Sequence, residues 1–335
     1  MVLVVPIFIV EEGCPHRCLF CNQHSITGQK TVAVVGPGDV DETIRKWLGW
    51  SMGRRSVQVA FYGGSFSCLS QSRQGQLLAA VEPFLASGQV DSIRISTRPD
   101  CLSEKVCRSL YGRGVRTVEL GCQSMDDKVL EITRRGHNVE QSIVAAELLR
   151  KNGMQLGIQL MVGLPGETSR SFLAGVREVI RLRPSFVRLY PALVVENTGL
   201  ALMYERGEYR PLSMNRAVAL CSRASDMFIG AGVRVIRVGL QPSESLERTI
   251  VKGPYSPAFG EQVMARSWFK RARKILSTCP AGKTMKFKIS DRDLSSFVGP
   301  KRINMQRLEQ LGLLERLDLE TEKKLERGTL LYDFG

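Results

Sequence analysis

Six short runs of strand-forming residues punctuate the first two thirds of the chain, at 2–10, 57–62, 92–97, 115–120, 154–161 and 186–189. Between them the apolar positions switch to the spacing of amphipathic helices, over 41–48, 71–85, 103–111, 139–151 and 169–182. This alternation predicts an α/β fold, a parallel sheet with helices outside, either open or curled toward a barrel. Each predicted strand runs into a segment rich in Gly, Pro or polar residues: GCPHRC, GGSFS, TRPD, GCQS, GLPGET and YPALV. Parallel folds build sites from the loops at the carboxyl ends of their strands, so chemistry is expected along one rim.

After residue 200 the order loosens. A helix is predicted over 213–231 and one more strand over 233–238. Proline-rich turns, a basic helix over 261–276 and a mixed tail follow. The expected division is a main domain over 1–240 and a small basic extension over 241–335. No internal repeat or low-complexity segment interrupts this order.

With 335 residues, 43% hydrophobic and 24% charged, the composition is that of a globular protein with an ample core. No apolar run is long enough to span a bilayer. The opening VLVVPIFIV reads as a strand, not a signal peptide, which leaves the cytoplasm as the expected compartment and no membrane partner. Nine cysteines, irregularly spaced beyond the first three, argue for a metal site plus scattered core thiols rather than a disulfide framework. The net charge of +14 is uneven: residues 266–308 hold twelve Lys or Arg against Asp291 and Asp293. Such a concentration suits a polyanion, nucleic acid first, although a solvated helix face explains it as well.

The stretch GCPHRCLFCNQ brings Cys14, Cys18 and Cys21 together at the end of the first strand, with His16 and His24 beside them. Closely spaced thiolates hold soft metals or iron–sulfur clusters. A structural zinc would close with a fourth ligand, and the chain has no second CxxC to supply one. Three ligands leave a metal corner open to a small molecule.

The spacing C-x3-C-x2-C resembles that of the radical SAM enzymes, and Phe20 matches the aromatic that precedes their third cysteine. The resemblance implies a partial (β/α)6 barrel. It implies that Cys14, Cys18 and Cys21 hold three irons of an oxygen-sensitive [4Fe-4S] cluster while the fourth iron chelates S-adenosylmethionine. It also implies a one-electron donor such as flavodoxin or ferredoxin, and reductive cleavage of the sulfonium to a 5′-deoxyadenosyl radical. In FYGGSF, Gly63 and Gly64 resemble the glycine motif that lets backbone approach the methionine amine, with Ser65 at its usually acidic third position. Ser96 and Gln123 would bond the ribose, Arg98 would pair with the methionine carboxylate, and Val162 to Leu164 would pack on adenine. A tight turn, a capped loop and a buried strand end are the competing explanations for these segments.

FYGGSFSCL, ISTRPDCL, VELGCQSMDDKVL, RRGH, GLPGET, RLYPALVVENTGL and VIRVGLQPSESL, in this order, resemble the radical SAM half of the Elongator catalytic subunit and its bacterial relatives. GCQSMDD and RRGH are shared with oxygen-independent coproporphyrinogen oxidase. The resemblance implies wobble-uridine chemistry on tRNA, but with two departures. The cysteine motif here is the compact one, and about 75 residues after Phe259 are too few for the acetyltransferase domain of that subunit. Without that domain the same reaction is not expected and the substrate is left unidentified; tRNA is a candidate because a basic stretch follows the barrel, with Lys283, Lys286, Lys288, Lys301, Arg302 and Arg307 on phosphates and Phe287 placed for stacking.

Other residues are read as structural. His137 is a loop or cap hydrogen bonder, Tyr190 a packed aromatic and Glu119 a strand residue. Cys68, Cys101, Cys107, Cys122, Cys221 and Cys279 are small apolar fillers. Two alternatives stay open: a coproporphyrinogen-oxidase-like enzyme acting on a small metabolite, and a non-catalytic RNA-binding protein with a structural zinc.

Overall fold

A computed structural model describes residues 2–23, 25, 34–50, 56–280 and 282–334. Seven parallel strands form one sheet in chain order: β1 (Val2–Phe8), β2 (Ser56–Tyr62), β3 (Ser92–Thr97), β4 (Val115–Gln123), β5 (Gln155–Val162), β6 (Phe186–Pro191) and β8 (Arg234–Val238). Between the last two, β7 (Val194–Val195) pairs antiparallel with β9 (Ile250–Lys252) in a separate ribbon. The sheet is curled. Arg188 on β6 donates to the Tyr62 hydroxyl on β2 at 3.2 Å, although three strands separate them. In a flat sheet they would stand about 19 Å apart, at about 4.8 Å per strand. The expected partial barrel is therefore present, and the further strand expected over 233–238 continues the sheet as its seventh.

The helices are α1 (Pro37–Trp50), α2 (Gln71–Ala79), α3 (Glu82–Ala86), α4 (Glu104–Gly112), α5 (Asp127–Ile132), α6 (Val139–Lys151), α7 (Ser169–Arg181), α8 (Gly199–Glu205), α9 (Met214–Gly230) and α10 (Glu244–Thr249). Their starts are encoded locally. Asn138 and Thr168 close capping boxes with Gln141 and Ser171, and Ser70, Ser103 and Thr198 accept from the first turns they precede. The single helix expected over 71–85 is two, because Pro83 has no N–H to return to the carbonyl of Ala79.

The chain divides into two compact units, Met1–Ser213 with Met227–Tyr255, and Met214–Asp226 with Ser256–Gly335. The expected mixed tail is ordered. Within the second unit, β10 (Met285–Ser290) lies between β11 (Leu317–Glu322), parallel to it, and β12 (Leu330–Phe334), antiparallel. Helices α11 (Phe259–Leu276), α12 (Leu294–Val298) and α13 (Ile303–Gln310) complete a core of Trp268, Leu276, Met285, Phe287, Ile289 and Phe297. Asn304 is pinned inside it, donating to the carbonyls of Ala265 and Phe297 at 2.8 Å. Among the described residues no helix is long and apolar enough to cross a membrane.

Phe287 corrects a sequence expectation: it is fully buried, edge-on to Phe297 at 6.3 Å, and is not available to stack on a base. Phe287→Ala is expected to cost about 3–5 kcal/mol, read in urea unfolding as an earlier loss of the second unit.

Candidate active site at the strand-end rim

The loop after β1 is locked onto the loop after β2. The Ser65 amide donates to the Glu12 carbonyl at 2.9 Å. A Cβ on Gly64 would sit 2.2 Å from that same oxygen, and one on Gly13 only 2.3 Å from the Ser65 carbonyl. Two backbones this close exclude any side chain at either glycine. Arg73 braces the first loop with a bidentate bond to Glu12 at 2.9 and 3.0 Å and a third bond to the Val35 carbonyl at 2.7 Å. Further along, the Leu19 amide donates to the Thr133 carbonyl at 3.1 Å, and the Leu19 carbonyl accepts from Leu200 at 2.7 Å.

Between these anchors lie the three thiols. Cys18 is buried, Cys21 half-buried and Cys14 exposed. They stand within electrostatic reach of one another. Burial pushes the Cys21 thiol up to about 12, helped by Cys18 and Cys14. Burial and then Cys18 raise Cys14, against the pull of Arg135 and Arg98. Among the described residues, no three His, Cys, Asp or Glu side chains close on a point that would hold one metal ion. His24 lies outside the described residues.

Arg135, from the RRGH segment, supplies the countercharge. It is 7% exposed. Its Nη1 donates to Cys18 Sγ at 3.1 Å, its Nη2 bonds the Gly121 carbonyl, and its Nε has no partner. A buried guanidinium bonded to a sulfur and a carbonyl, and to no carboxylate among the described residues, fits a site that carries negative charge when filled. Three soft sulfur donors beside it complete the fit. His137 is also buried there and held neutral: burial first, then Arg135 and Arg98, push it down to about 3.

The second and third strand ends are knotted by hydroxyls. Ser65 Oγ lies 3.0 Å from Thr97 Oγ1 and 2.8 Å from Cys68 Sγ, and accepts from the Arg98 amide at 3.1 Å. Thr97 Oγ1 also meets Ser67 Oγ at 2.6 Å. Cys68 and Cys101, expected as separate apolar fillers, are joined in a disulfide. Each ends a short helical turn, Phe66–Cys68 after β2 and Pro99–Cys101 after β3, and the turns bring the two sulfurs together. The guanidinium of Arg98 is clamped bidentate on Asp100 at 3.0 and 2.9 Å.

Gln123 ends β4 with φ +66°, beside a register shift between Leu120 and Gln123. Inside the curl, Glu119 has no exposed surface. It accepts from Arg94 at 3.1 Å, Arg188 at 3.0 Å, Tyr62 at 3.3 Å and Gln159 at 2.9 Å, while Gln159 also reaches Ser96 Oγ at 3.4 Å. Sequence reasoning missed Arg94, Arg188 and Gln159. The available signal was polar residues alternating with buried apolar ones in SIRIST and FVRLYP.

Val162 and Leu164 are buried, and Leu164 packs with Val129 and Ala192 against Phe20. Glu167, in the same GLPGET turn, accepts from the Gly163 amide at 2.7 Å, yet burial raises its carboxyl to about 8. A surface hollow of about 400 Å³ beside Val144 and Lys151 on α6 carries none of these groups.

In the second unit the expected nucleic-acid residues separate. Lys286 and Lys288 share Glu320 on the neighbouring strand, and Arg307 lies over the Phe269 ring at 5.7 Å. Lys301 and Arg302 are exposed in a left-handed turn, and Lys283 is exposed before β10.

Comparison with known proteins matches residues 8–178 to the radical SAM superfamily and residues 184–271 to a radical SAM C-terminal domain. A tRNA uridine(34) acetyltransferase of Methanocaldococcus jannaschii is 37% identical over 264 residues, covering 68% of this chain and 49% of that protein. The heme chaperone HemW of Lactococcus lactis is 25% identical over 201 residues, covering 59% and 51%. The chain thus spans about half the length of these relatives. The structure of Methanocaldococcus infernus Elp3 with an N-terminal deletion superposes with a TM-score of 0.64 at 25% identity, over 83% of this chain and 64% of that one.

Glu167 makes stability depend on pH. From 4.5 to about 8 the folded chain keeps a proton that the unfolded chain has lost, so stability falls as pH rises through that window. Glu167→Gln removes this dependence. Its urea midpoint should gain on the wild type between the lower and upper ends of the window, and an unchanged difference would contradict the assignment.

Proposed function

The chain belongs to the radical SAM superfamily of enzymes, and from that membership we propose that Cys14, Cys18 and Cys21 hold three irons of a [4Fe-4S] cluster. Members of this superfamily use such a cluster together with S-adenosylmethionine. The observation that carries the assignment is the set of three neighbouring thiols beside Arg135, a buried cation that bonds no carboxylate among the described residues. Bound there, the reduced cluster would supply one electron to the sulfonium of S-adenosylmethionine, whose carbon–sulfur bond would break to give methionine and a 5′-deoxyadenosyl radical.

The residues of the rim grip S-adenosylmethionine along its length. The hydroxyl of Ser65 is engaged, so backbone carbonyls of Gly63, Gly64 and Ser65 receive the methionine amine. Arg98 meets the methionine carboxylate by exchanging it for Asp100. Ser96 and Gln123 bond the ribose. Phe20, Val162 and Leu164 give the adenine an apolar wall. A one-electron donor such as flavodoxin or ferredoxin in the cytoplasm feeds the site.

The substrate we propose is tRNA. In support are the net charge of +14, the basic second unit and relatives whose names specify tRNA uridine 34. Lys283, Lys301, Arg302 and Arg307 serve phosphates, and Lys286 and Lys288 contribute less because Glu320 offsets them. A second reading, a small anionic metabolite, is favoured by one observation: Arg94 and Arg188 outnumber Glu119 inside the curl.

Protein reconstituted without oxygen, then given dithionite and S-adenosylmethionine, should release 5′-deoxyadenosine, measured by liquid chromatography and mass spectrometry. Cys18→Ala should abolish release, and zinc uptake without product would favour a structural metal. Transfer RNA should be retained at low salt and lost on the order of 10³-fold by 200 mM salt if about six phosphates are contacted. Unaltered migration at low salt would favour the small metabolite.

A further inference from the structure

We propose that Cys68 and Cys101 form a redox-active pair whose disulfide locks the S-adenosylmethionine site, and that a thiol reductant opens the lock so that the site binds its ligand tightly. The lock rests on the proposed reading in which Arg98 exchanges Asp100 for the methionine carboxylate. It adds a covalent site that this reading does not use.

The bond joins the two turns that carry the grip. Cys68 ends the turn after β2, and Cys101 ends the turn after β3, directly behind Asp100. Ser65 touches both sides. Its Oγ lies 2.8 Å from Cys68 Sγ and accepts from the Arg98 amide at 3.1 Å. A disulfide sulfur carries no hydrogen, so while the bond is closed Ser65 is the donor to it. A free Cys68 thiol can donate instead, which releases the Ser65 proton to Thr97 Oγ1, 3.0 Å away. Opening the bond therefore resets the hydroxyl knot between the two strand ends.

The lock acts through Asp100. Its carboxylate occupies Nε and Nη2 of Arg98 at 3.0 and 2.9 Å, the edge that a second carboxylate would need. The Arg98 side chain is 4% exposed, so Asp100 can leave only as another anion takes its place. Closing the disulfide fixes the residue next to Asp100 onto the β2 turn and holds the carboxylate where it is. Cutting that link lets the turn give way.

A reductant can reach the pair. Cys68 and Cys101 are half-buried, whereas Cys107, Cys122, Cys221 and Cys279 are buried. Disulfides in a reducing compartment are mostly transient and redox-sensing. A small dithiol opens this one by exchange: its hydrogens end on Cys68 and Cys101, and its own sulfurs join as a cyclic disulfide. The dithiol is oxidised and the pair reduced.

Coupling is reciprocal, so a ligand that binds the open form more tightly must favour opening by the same factor. The test equilibrates oxygen-free reconstituted protein across ratios of reduced to oxidised dithiothreitol. Free thiols are then capped with iodoacetamide, and the open fraction is read by mass spectrometry of the peptides holding Cys68 and Cys101. Saturating S-adenosylmethionine should lower the half-opening ratio about tenfold, which is about 30 mV for this couple. An unchanged ratio overturns the proposal, as does a pair that never closes or never opens; the cluster reading, checked by iron content, survives each of these. A protein that retains no S-adenosylmethionine in equilibrium dialysis overturns the cofactor reading and the lock together. Asp100→Asn removes the competing charge and should shrink the shift. A full shift in that variant overturns the route through Asp100, and the proposal with it.

Discussion

The structure turns on a carboxylate with no access to water. Glu119 sits inside the curled sheet, and its charge must be met from within because burial of an unpaired carboxylate is prohibitive. Arg94 comes from β3, Gln159 from β5, Arg188 from β6 and Tyr62 from β2. Four strands are thereby drawn onto one point beside the strand that carries Glu119. A flat sheet cannot make these contacts; a curled one makes all of them. The curl in turn gathers the strand ends, which is what brings the thiol loop, the glycine turn and the RRGH turn within reach of one another.

Near the thiols the same physics runs in the opposite direction. Glu119 has more than one cation, whereas Arg135 bonds no carboxylate among the described residues. Natural interiors seldom leave a charge unmatched unless something else binds there. Arg135 beside Cys18 is consistent with the anionic group proposed for the rim.

Much of this was legible in the sequence. Alternating strand and helix patterns located β1 to β6 to within a few residues, because buried parallel strands are short apolar runs. The cysteine spacing located the thiols because chemistry requires the residues themselves. What depends on contacts between distant positions was not legible. Phe287 sits between lysines and looks like a stacking platform, but strand alternation turns it into the core while Lys286 and Lys288 face Glu320. Arg98 looks free in TRPD, yet Asp100 two residues on returns to clamp it. Pro83 was visible and its effect was not weighed against the longer helical pattern. Cys68 and Cys101 are separated by 33 positions, and only the adjacency of β2 and β3 makes them partners.

That bond has a stoichiometric consequence. Opening it takes two electrons and two protons and leaves two thiols. A protein prepared with the bond closed would absorb two reducing equivalents beyond whatever its metal centre accepts, and would expose two more alkylatable sulfurs once they were delivered. The sulfurs sit at the ends of the glycine turn and the TRPD turn. Electron counting on this chain therefore reads the tether between those turns as well as the centre beside them.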